Sequence, residues 1–215
     1  MHPDWKGKGL GPRLVERSEG RARERKAERM HQITFGPDEA AHRLLVGLGY
    51  REVRRFFAMA VQLESAPDVP DMGIETLVPD DVREFHDALD EAFRDHWEHH
   101  PTTFDEWWSR HAGNPNLDLS LWFAIRERGE MVAVVRNEAN RNGGGYVAAI
   151  GVRRPWRGKG YAKALLLHTF REFYDRGIKR VTLGVDAESP TGATHLYERV
   201  GMHVEQENLV FEKAL

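Results

Sequence analysis

The stretch from Val152 to Leu166, VRRPWRGKGYAKALL, constrains this chain more than any other. The apolar segment Tyr146 to Val152 leads into it and reads as a strand. A helix leaves it, because Leu165, Leu166, Thr169, Phe170 and Phe173 recur at helical spacing. Between the two lies a Gly- and Arg-rich turn in which Arg157, Gly160 and Ala162 fall in the pattern Arg-x-x-Gly-x-Ala. A helix start leaves backbone N–H groups without intrahelical partners, and the helix dipole adds positive potential there. Gly158 and Gly160 let a ligand approach that backbone, while Arg153, Arg154, Arg157 and Lys159 supply charge. The turn is suited to a pyrophosphate.

Two common phosphate motifs are excluded by spacing. No Lys-Ser or Lys-Thr follows the glycines, and Gly158-Lys159-Gly160 continues as Tyr161-Ala162-Lys163 rather than as a dinucleotide fingerprint. At 215 residues the chain can bury a sizeable core. A formal net charge of −3 speaks against a nucleic-acid or membrane-surface partner. The absence of cysteine excludes disulfides, a Cys nucleophile and thiolate metal sites. No apolar run reaches membrane-spanning length and MHPDWKGKG does not read as a signal peptide, so a cytoplasmic protein is expected.

The chain repeats itself. Lys6-x-x-Gly9-x-Gly11 lies over Arg157-x-x-Gly160-x-Ala162, and HRLLVGLGYREV (His42 to Val53) parallels THLYERVGMHVE (Thr194 to Glu205). Gly9 and Gly49 are 40 positions apart, Gly160 and Gly201 41, as an internal duplication requires. The first copy is weaker. Leu14, Val15, Ser18, Glu19 and Ala22 replace the apolar stripe of the second, and Arg21, Arg23, Arg25, Lys26 and Arg29 interleave with Glu16, Glu19, Glu24 and Glu28 as a solvated helical face. Strands are expected at His31 to Phe35 and, twice, within Tyr50 to Leu63, with a helix from Asp38 to Leu48. Ser65 to Gly73, with Pro67 and Pro70, reads as a linker.

Beyond it come a strand at Ile74 to Leu77, a helix to Phe93 and a helix over Phe104 to His111. A hairpin of Leu119 to Glu127 and Met131 to Asn137 turns at Arg128-Gly129. A glycine turn at Gly143 to Gly145 then feeds the central strand. Val181 to Asp186 is a strand, Pro190 to Val200 a helix with Ser189 as its N-cap, and two strands follow from about His203 and Leu209.

The Arg157–Ala162 pattern resembles the acyl-CoA signature of the GCN5-related N-acetyltransferases. Leu196-Tyr197-Glu198-Arg199-Val200-Gly201-Met202 is similar to the close of that family's last helix, with Met202 in place of Phe, and Ser189 stands near where members carry Asn. The element order over residues 73–215 matches throughout. The resemblance implies an α/β (α+β) fold with a central, mostly antiparallel mixed sheet, splayed at the acyl-CoA site and flanked by helices. It divides the chain into residues 1–64, the truncated and non-catalytic back half of a first domain, a linker at 65–72, and a complete domain at 73–215. Two such units in one chain are similar to the arrangement of mycothiol synthase, and no substrate is carried over from that likeness.

The same resemblance implies acetyl-CoA as acyl donor, a small-molecule amine as acceptor, and no metal. The backbone at Ile150, Gly151 and Val152 would hold the pantetheine arm. Arg157, Gly158, Lys159, Gly160, Tyr161 and Ala162 would hold the pyrophosphate, with Ser189 as a further contact. Tyr197 would protonate the departing thiolate, a role for which the first copy offers only Leu45. The central strand carries no acid, so the base is open among Asp95, His96, Glu98, Glu138 and Asp186. His96, His99 and His100 share a helical face, yet no third element supplies a ligand. Trp122 is expected in the core and Trp97 at the wall of an acceptor pocket. The truncated copy has an uncovered strand edge, to be held by the rest of the chain or in a homodimer. Its removal is expected to spare acetyl-CoA binding and to alter solubility or oligomeric state.

Overall fold

A computed structural model describes residues 3–5, 7–114, 117–141 and 143–215. Lys6, the first residue of the repeated turn, lies outside the described residues. The chain forms two compact units that are not contiguous in sequence. One comprises residues 1–58, 186–188 and 205–215, the other residues 59–185 and 189–204.

In chain order the elements are α1 (Leu10–Glu24), β1 (Arg29–Phe35), α2 (Glu39–Gly47), β2 (Arg51–Gln62), β3 (Ile74–Thr76), α3 (Val82–Phe93), α4 (Phe104–Ala112), β4 (Trp122–Glu127), β5 (Glu130–Arg141), β6 (Gly144–Val152), α5 (Tyr161–Asp175), β7 (Arg180–Asp186), α6 (Ala193–Arg199) and β8 (His203–Ala214). Where two strands were expected in Tyr50 to Leu63, and two more after His203, the chain runs on as the single strands β2 and β8. Neither segment contains Gly or Pro, so nothing interrupts the extended backbone.

In the first unit the strands lie in the order β1-β8-β2, and β1 pairs antiparallel with β8 from Arg29↔Ala214 to Phe35↔Asn208. Leu45, Tyr50, Leu209 and Phe211 form its core, with Val15 of α1 and Met30 packed against them. The helix α2 starts where the Asp38 side chain accepts from the Ala41 N–H (3.0 Å) and stops at Gly49, whose φ is +86°. Glu19 is buried on α1, and its charge is met by Lys213 (2.8 Å) and Arg23 (3.1 Å). Lys213 is the main reason its carboxyl titrates below the ordinary range.

In the second unit β3, β4, β5 and β6 pair antiparallel in sequence, and β6 pairs parallel with β7. α3 turns Val82, Phe85, Ala88, Leu89 and Ala92 inward, a helical stripe that packs on β5 and β6. α5 packs on the same two strands with Leu165, Leu166, Phe170 and Phe173. β5 is consequently buried from Met131 to Val135, as a strand covered on both faces must be. Trp122 is 1% exposed, with its ring tilted against Phe85 at 5.0 Å between centroids, so it is core as expected.

Gly143 lies in the expected turn, at φ +77°, whereas Gly144 and Gly145 do a different job. β5 continues to Arg141 and β6 already begins at Gly144. A Cβ on Gly144 would lie 2.4 Å from the Arg180 carbonyl oxygen, and one on Gly145 would lie 2.7 Å from the Phe173 ring. These residues are glycine because β7 and α5 approach the backbone too closely for a side chain. The last helix also departs from expectation. Ser189 is no N-cap: its hydroxyl meets that of Thr191 (2.9 Å) in a turn, and the helix begins only after Gly192, at φ +66°.

Candidate active site

The site begins with a register fault. Along β5 and β6, Arg136 faces Ala149 while Asn137 faces Val147, so Ala148 is an extra residue on β6. A bulge of this kind bends the strand that carries it. β6 parts from β7 at this point: the parallel pairing covers Gly145↔Val181, Tyr146↔Thr182 and Val147↔Leu183 and goes no further. From Ala148 to Val152 the edge of β6 that faces β7 therefore has no strand partner, and of its polar groups Arg157 takes the Val152 carbonyl (3.1 Å).

A cavity of about 390 Å³ opens beside that released edge. Ile150, Gly151 and Val152 line it from β6, and Leu196, Tyr197 and Arg199 line it from α6. Its end is the start of α5. Gly160 is the N-cap at φ +89°, a conformation that favours glycine, and no side chain caps the helix. The first helical bond runs from the Ala164 N–H to the Gly160 carbonyl (3.0 Å), so the N–H groups of Tyr161, Ala162 and Lys163 precede it. Gly158, Gly160, Tyr161, Ala162 and Lys163 all line the cavity. The arrangement offers a strand edge for an extended chain and a helix start for an anion, end to end.

Most of the residues expected at the site meet here. Ile150, Gly151, Val152, Arg157, Gly158, Gly160, Tyr161, Ala162 and Tyr197 line this one cavity. Arg157 does so with its guanidinium already committed. It donates to the Val152 carbonyl (3.1 Å), the Ala92 carbonyl (3.0 Å) and Asp95 (3.0 Å). These bonds fasten the turn to the end of α3. Arg154 is drawn to Asp95 and Arg153 to Glu91 (2.6 Å) in the same way. With Arg154 first and Arg157 second, the two cations hold the Asp95 carboxyl down to about 2.

Lys159 and Ser189 are not among the cavity-lining residues; Lys159 borders a neighbouring hollow instead. Two cations that sequence reasoning passed over do line the cavity: Lys163, the third residue of α5, and Arg199, at the end of α6. Their positions in two helices separated by a strand gave no local signal.

Tyr197 is 7% exposed, and burial pushes its phenol up to about 12. It stays protonated throughout the neutral range. Of the five residues considered as a base, His96 lines the cavity. Asp95 is held by its arginines, Glu138 by Arg136 and Arg141 (both 3.1 Å), and Asp186 by Arg54 (2.7 Å). Glu98 and Trp97 are not among the lining residues.

Known proteins carry the same architecture. The sequence profile of the Acetyltransferase (GNAT) family matches residues 1–50 and 82–202. A mycothiol acetyltransferase of Thermobispora bispora is 30% identical over 212 residues, which cover 94% of this chain and 70% of that protein. One of Paenarthrobacter aurescens is 27% identical, covering 94% of this chain and 64% of its own. The chain thus spans about two thirds of the length of these relatives. Among solved structures, a GCN5-related N-acetyltransferase from Sphaerobacter thermophilus superposes with a TM-score of 0.85 at 37% identity, over 100% of this chain and 70% of that one. A tandem GNAT protein of the clavulanic acid pathway shares the fold, with a TM-score of 0.70 at 14% identity over 100% of this chain and 72% of that one. With its family profile, its relatives and its splayed strand in agreement, this chain belongs to the GNAT family of acetyltransferases.

Proposed function

We propose that the protein transfers an acetyl group from acetyl-CoA to the amine nitrogen of a small molecule. The observation that carries this reading is the single cavity joining the released edge of β6, the uncapped start of α5 and Tyr197. A pyrophosphate fits the unpaired N–H groups of residues 161–163, with Lys163 and Arg199 as nearby cations. The pantetheine arm, which carries amide groups along an extended chain, fits Ala148 to Val152 as an added strand would.

The thioester is then fixed beside α6. The amine lone pair attacks the carbonyl carbon, with a β6 backbone N–H stabilising the charge that develops on oxygen. As the C–S bond breaks, sulfur takes the proton of the Tyr197 hydroxyl, which solvent later restores. The proton shed by the amine passes to His96. The products are an N-acetylated amine and free CoA thiol.

The names of the relatives favour a small-molecule acceptor, and the acceptor stays a class because the chain spans only part of their length. We also assign residues 1–64 to the back half of a first copy of the fold and residues 73–215 to a second copy, with residues 65–72 joining them. Element lengths support this: α1 and α5 each have 15 residues, β1 and β7 each 7, and β2 and β8 each 12.

The test is acetyl-CoA turnover with a panel of small amines, amino sugars and peptides, read by free thiol release. Saturable release with small amines is expected. Saturable acetyl-CoA binding with no release for any amine would mark a non-catalytic binding module, and release with peptides alone would mark a protein acetyltransferase.

A further inference from the structure

A group of polar side chains gathers on the face of the sheet that α5 does not cover. Arg136 and Glu138 share that face, as alternate residues of a strand do. It is the face under α3 and α4. Arg136 lies across from Trp122, whose ring meets Phe85 of α3 and Trp107 of α4. Asn137, on the opposite face, donates to Thr169 of α5. Glu138 stands opposite Tyr146 of β6, and the Arg141 guanidinium lies 3.9 Å from the centre of the Tyr146 ring. Tyr146 fixes where the group stands. Its hydroxyl is 3.6 Å from the place a Cβ on Gly184 would take, and Gly184 is the first residue of β7 beyond the parallel pairing with β6. The group therefore borders the fork between those two strands.

Its charges do not cancel. Glu138 meets Arg136 on one side and Arg141 on the other, both at 3.1 Å, so two guanidiniums share one carboxylate. His111 of α4 adds no acid to balance them; burial, with Arg136 as a lesser cause, holds its imidazole below the ordinary range. The surplus charge is poorly placed for water, since the Arg136 side chain is 16% exposed and that of Glu138 15%. Burial also draws the Arg136 guanidinium below its usual range, and Glu138 offsets only part of this. Among the described residues Arg136 bonds Glu138 alone, through Nη1, and its Nε is buried with no partner. A guanidinium so placed, with donors to spare and one unit of charge unmatched, suits a carboxylate. Two oxygens fit its planar fork, and a single negative charge closes the balance. A phosphate monoester would bring more charge than the surplus.

We propose that the acetyl acceptor is an amine that also carries a carboxylate, held by Arg136 and Arg141 while its nitrogen reaches the thioester through the fork. The inference rests on the acetyl-transfer reading and names the class of acceptor within it. The donor cradle is built from α5 and α6, which leaves the α3 and α4 face of the fork to the acceptor. Neither arginine lines the donor cavity, so the pair selects the amine without touching acetyl-CoA.

The test measures thiol release from acetyl-CoA by the full chain with matched amines. These are β-alanine and γ-aminobutyrate, the amide of each, and aminoethyl phosphate, with rates referred to the unprotonated amine. The wild type is expected to favour each carboxylate over its amide by roughly tenfold to a hundredfold in kcat/KM, the scale of charge-assisted bonds, with the effect carried by KM. Arg136→Met should erase the preference and leave acetyl-CoA affinity unchanged in calorimetric titration. Its fold should hold, because Glu138 keeps Arg141 as a partner. Arg141→Gln changes a side chain that is 48% exposed and should reduce the preference without risk to the core. Arg136→Lys keeps the charge but loses the planar fork, and should retain only part of the preference. Three results would overturn the assignment and leave the acetyl-transfer reading standing: equal wild-type kcat/KM for carboxylates and amides, a preference that neither Arg136→Met nor Arg141→Gln lowers, or a preference for aminoethyl phosphate. Saturable acetyl-CoA binding with no release for any amine would bring down both readings together.

Discussion

A phenol that is to hand over a proton at neutral pH must keep it until the sulfur leaves. Burial of Tyr197 secures this, since a phenol pushed up to about 12 is protonated wherever the protein works. Tyr197→Phe should therefore lower kcat by roughly ten- to a thousandfold, with the KM for acetyl-CoA little changed, as steady-state kinetics would show. The same shift predicts the alkaline behaviour of the fold. A phenol whose folded pKa exceeds its unfolded value of 10.0 stabilises fully below that value and loses the contribution as pH rises towards about 12. Melting curves between those limits should fall more steeply for the wild type than for Tyr197→Phe. Asp95 behaves in the opposite sense. Its stabilisation is present above 3.8 and is lost as pH falls towards about 2. Asp95→Asn removes the charge that holds Arg154 and leaves Arg157 with the Ala92 carbonyl as its tie to α3, and a several-fold rise in the Kd for acetyl-CoA, measured by titration, is the expected effect. Tyr197 was legible in the sequence through the helix that carries it. The commitment of Arg157 was not, because an arginine's partner 62 residues away leaves no trace in local spacing.

At the scale of elements, the strand–turn–helix was readable because a change of hydrophobic period and the glycines that permit it occupy one short stretch. Less was readable where a glycine has two possible uses. Gly144 and Gly145 looked like a turn and prove to be places where β7 and α5 press on the backbone. Ser189 looked like a cap, but Gly192 moved the helix start beyond it. The bulge at Ala148 was invisible, since a register fault belongs to a pair of strands. Gly160 and Gly9 give a matched pair for testing what the turn does. Both head a 15-residue helix with positive φ, at +89° and +73°, and neither helix has a side-chain cap. Valine at either position should cost about 1–2 kcal/mol of stability for the left-handed backbone. Only Gly160→Val should also abolish acetyl-CoA binding, which thermal melts and titration of the two variants would separate. Equal loss of binding in both would assign the donor site to the wrong turn.

For the molecule as a whole, sequence order and compactness divide the chain differently. The last strand, β8, which the proposed division gives to the second copy, lies between β1 and β2. The expectation that acetyl-CoA binding outlasts the removal of residues 1–64 has this pairing against it, whereas the expected change in solubility agrees with it. Their deletion strips β8 of both neighbours and uncovers Leu209 and Phe211. We expect the deleted chain to be poorly soluble and to lack a cooperative melt, and a soluble product with intact acetyl-CoA affinity would contradict that. The arrangement also imposes a timetable on synthesis. Phe35 meets Asn208, so everything from residue 36 to residue 207 must be made before β1 can find its partner. At ordinary elongation rates that delay is on the order of ten seconds or more. Throughout it β1 waits with both edges bare and Ile33, 71% exposed even after folding, on display. Until β8 has emerged from the ribosome, the nascent chain thus carries an unpaired strand of the kind that chaperones bind.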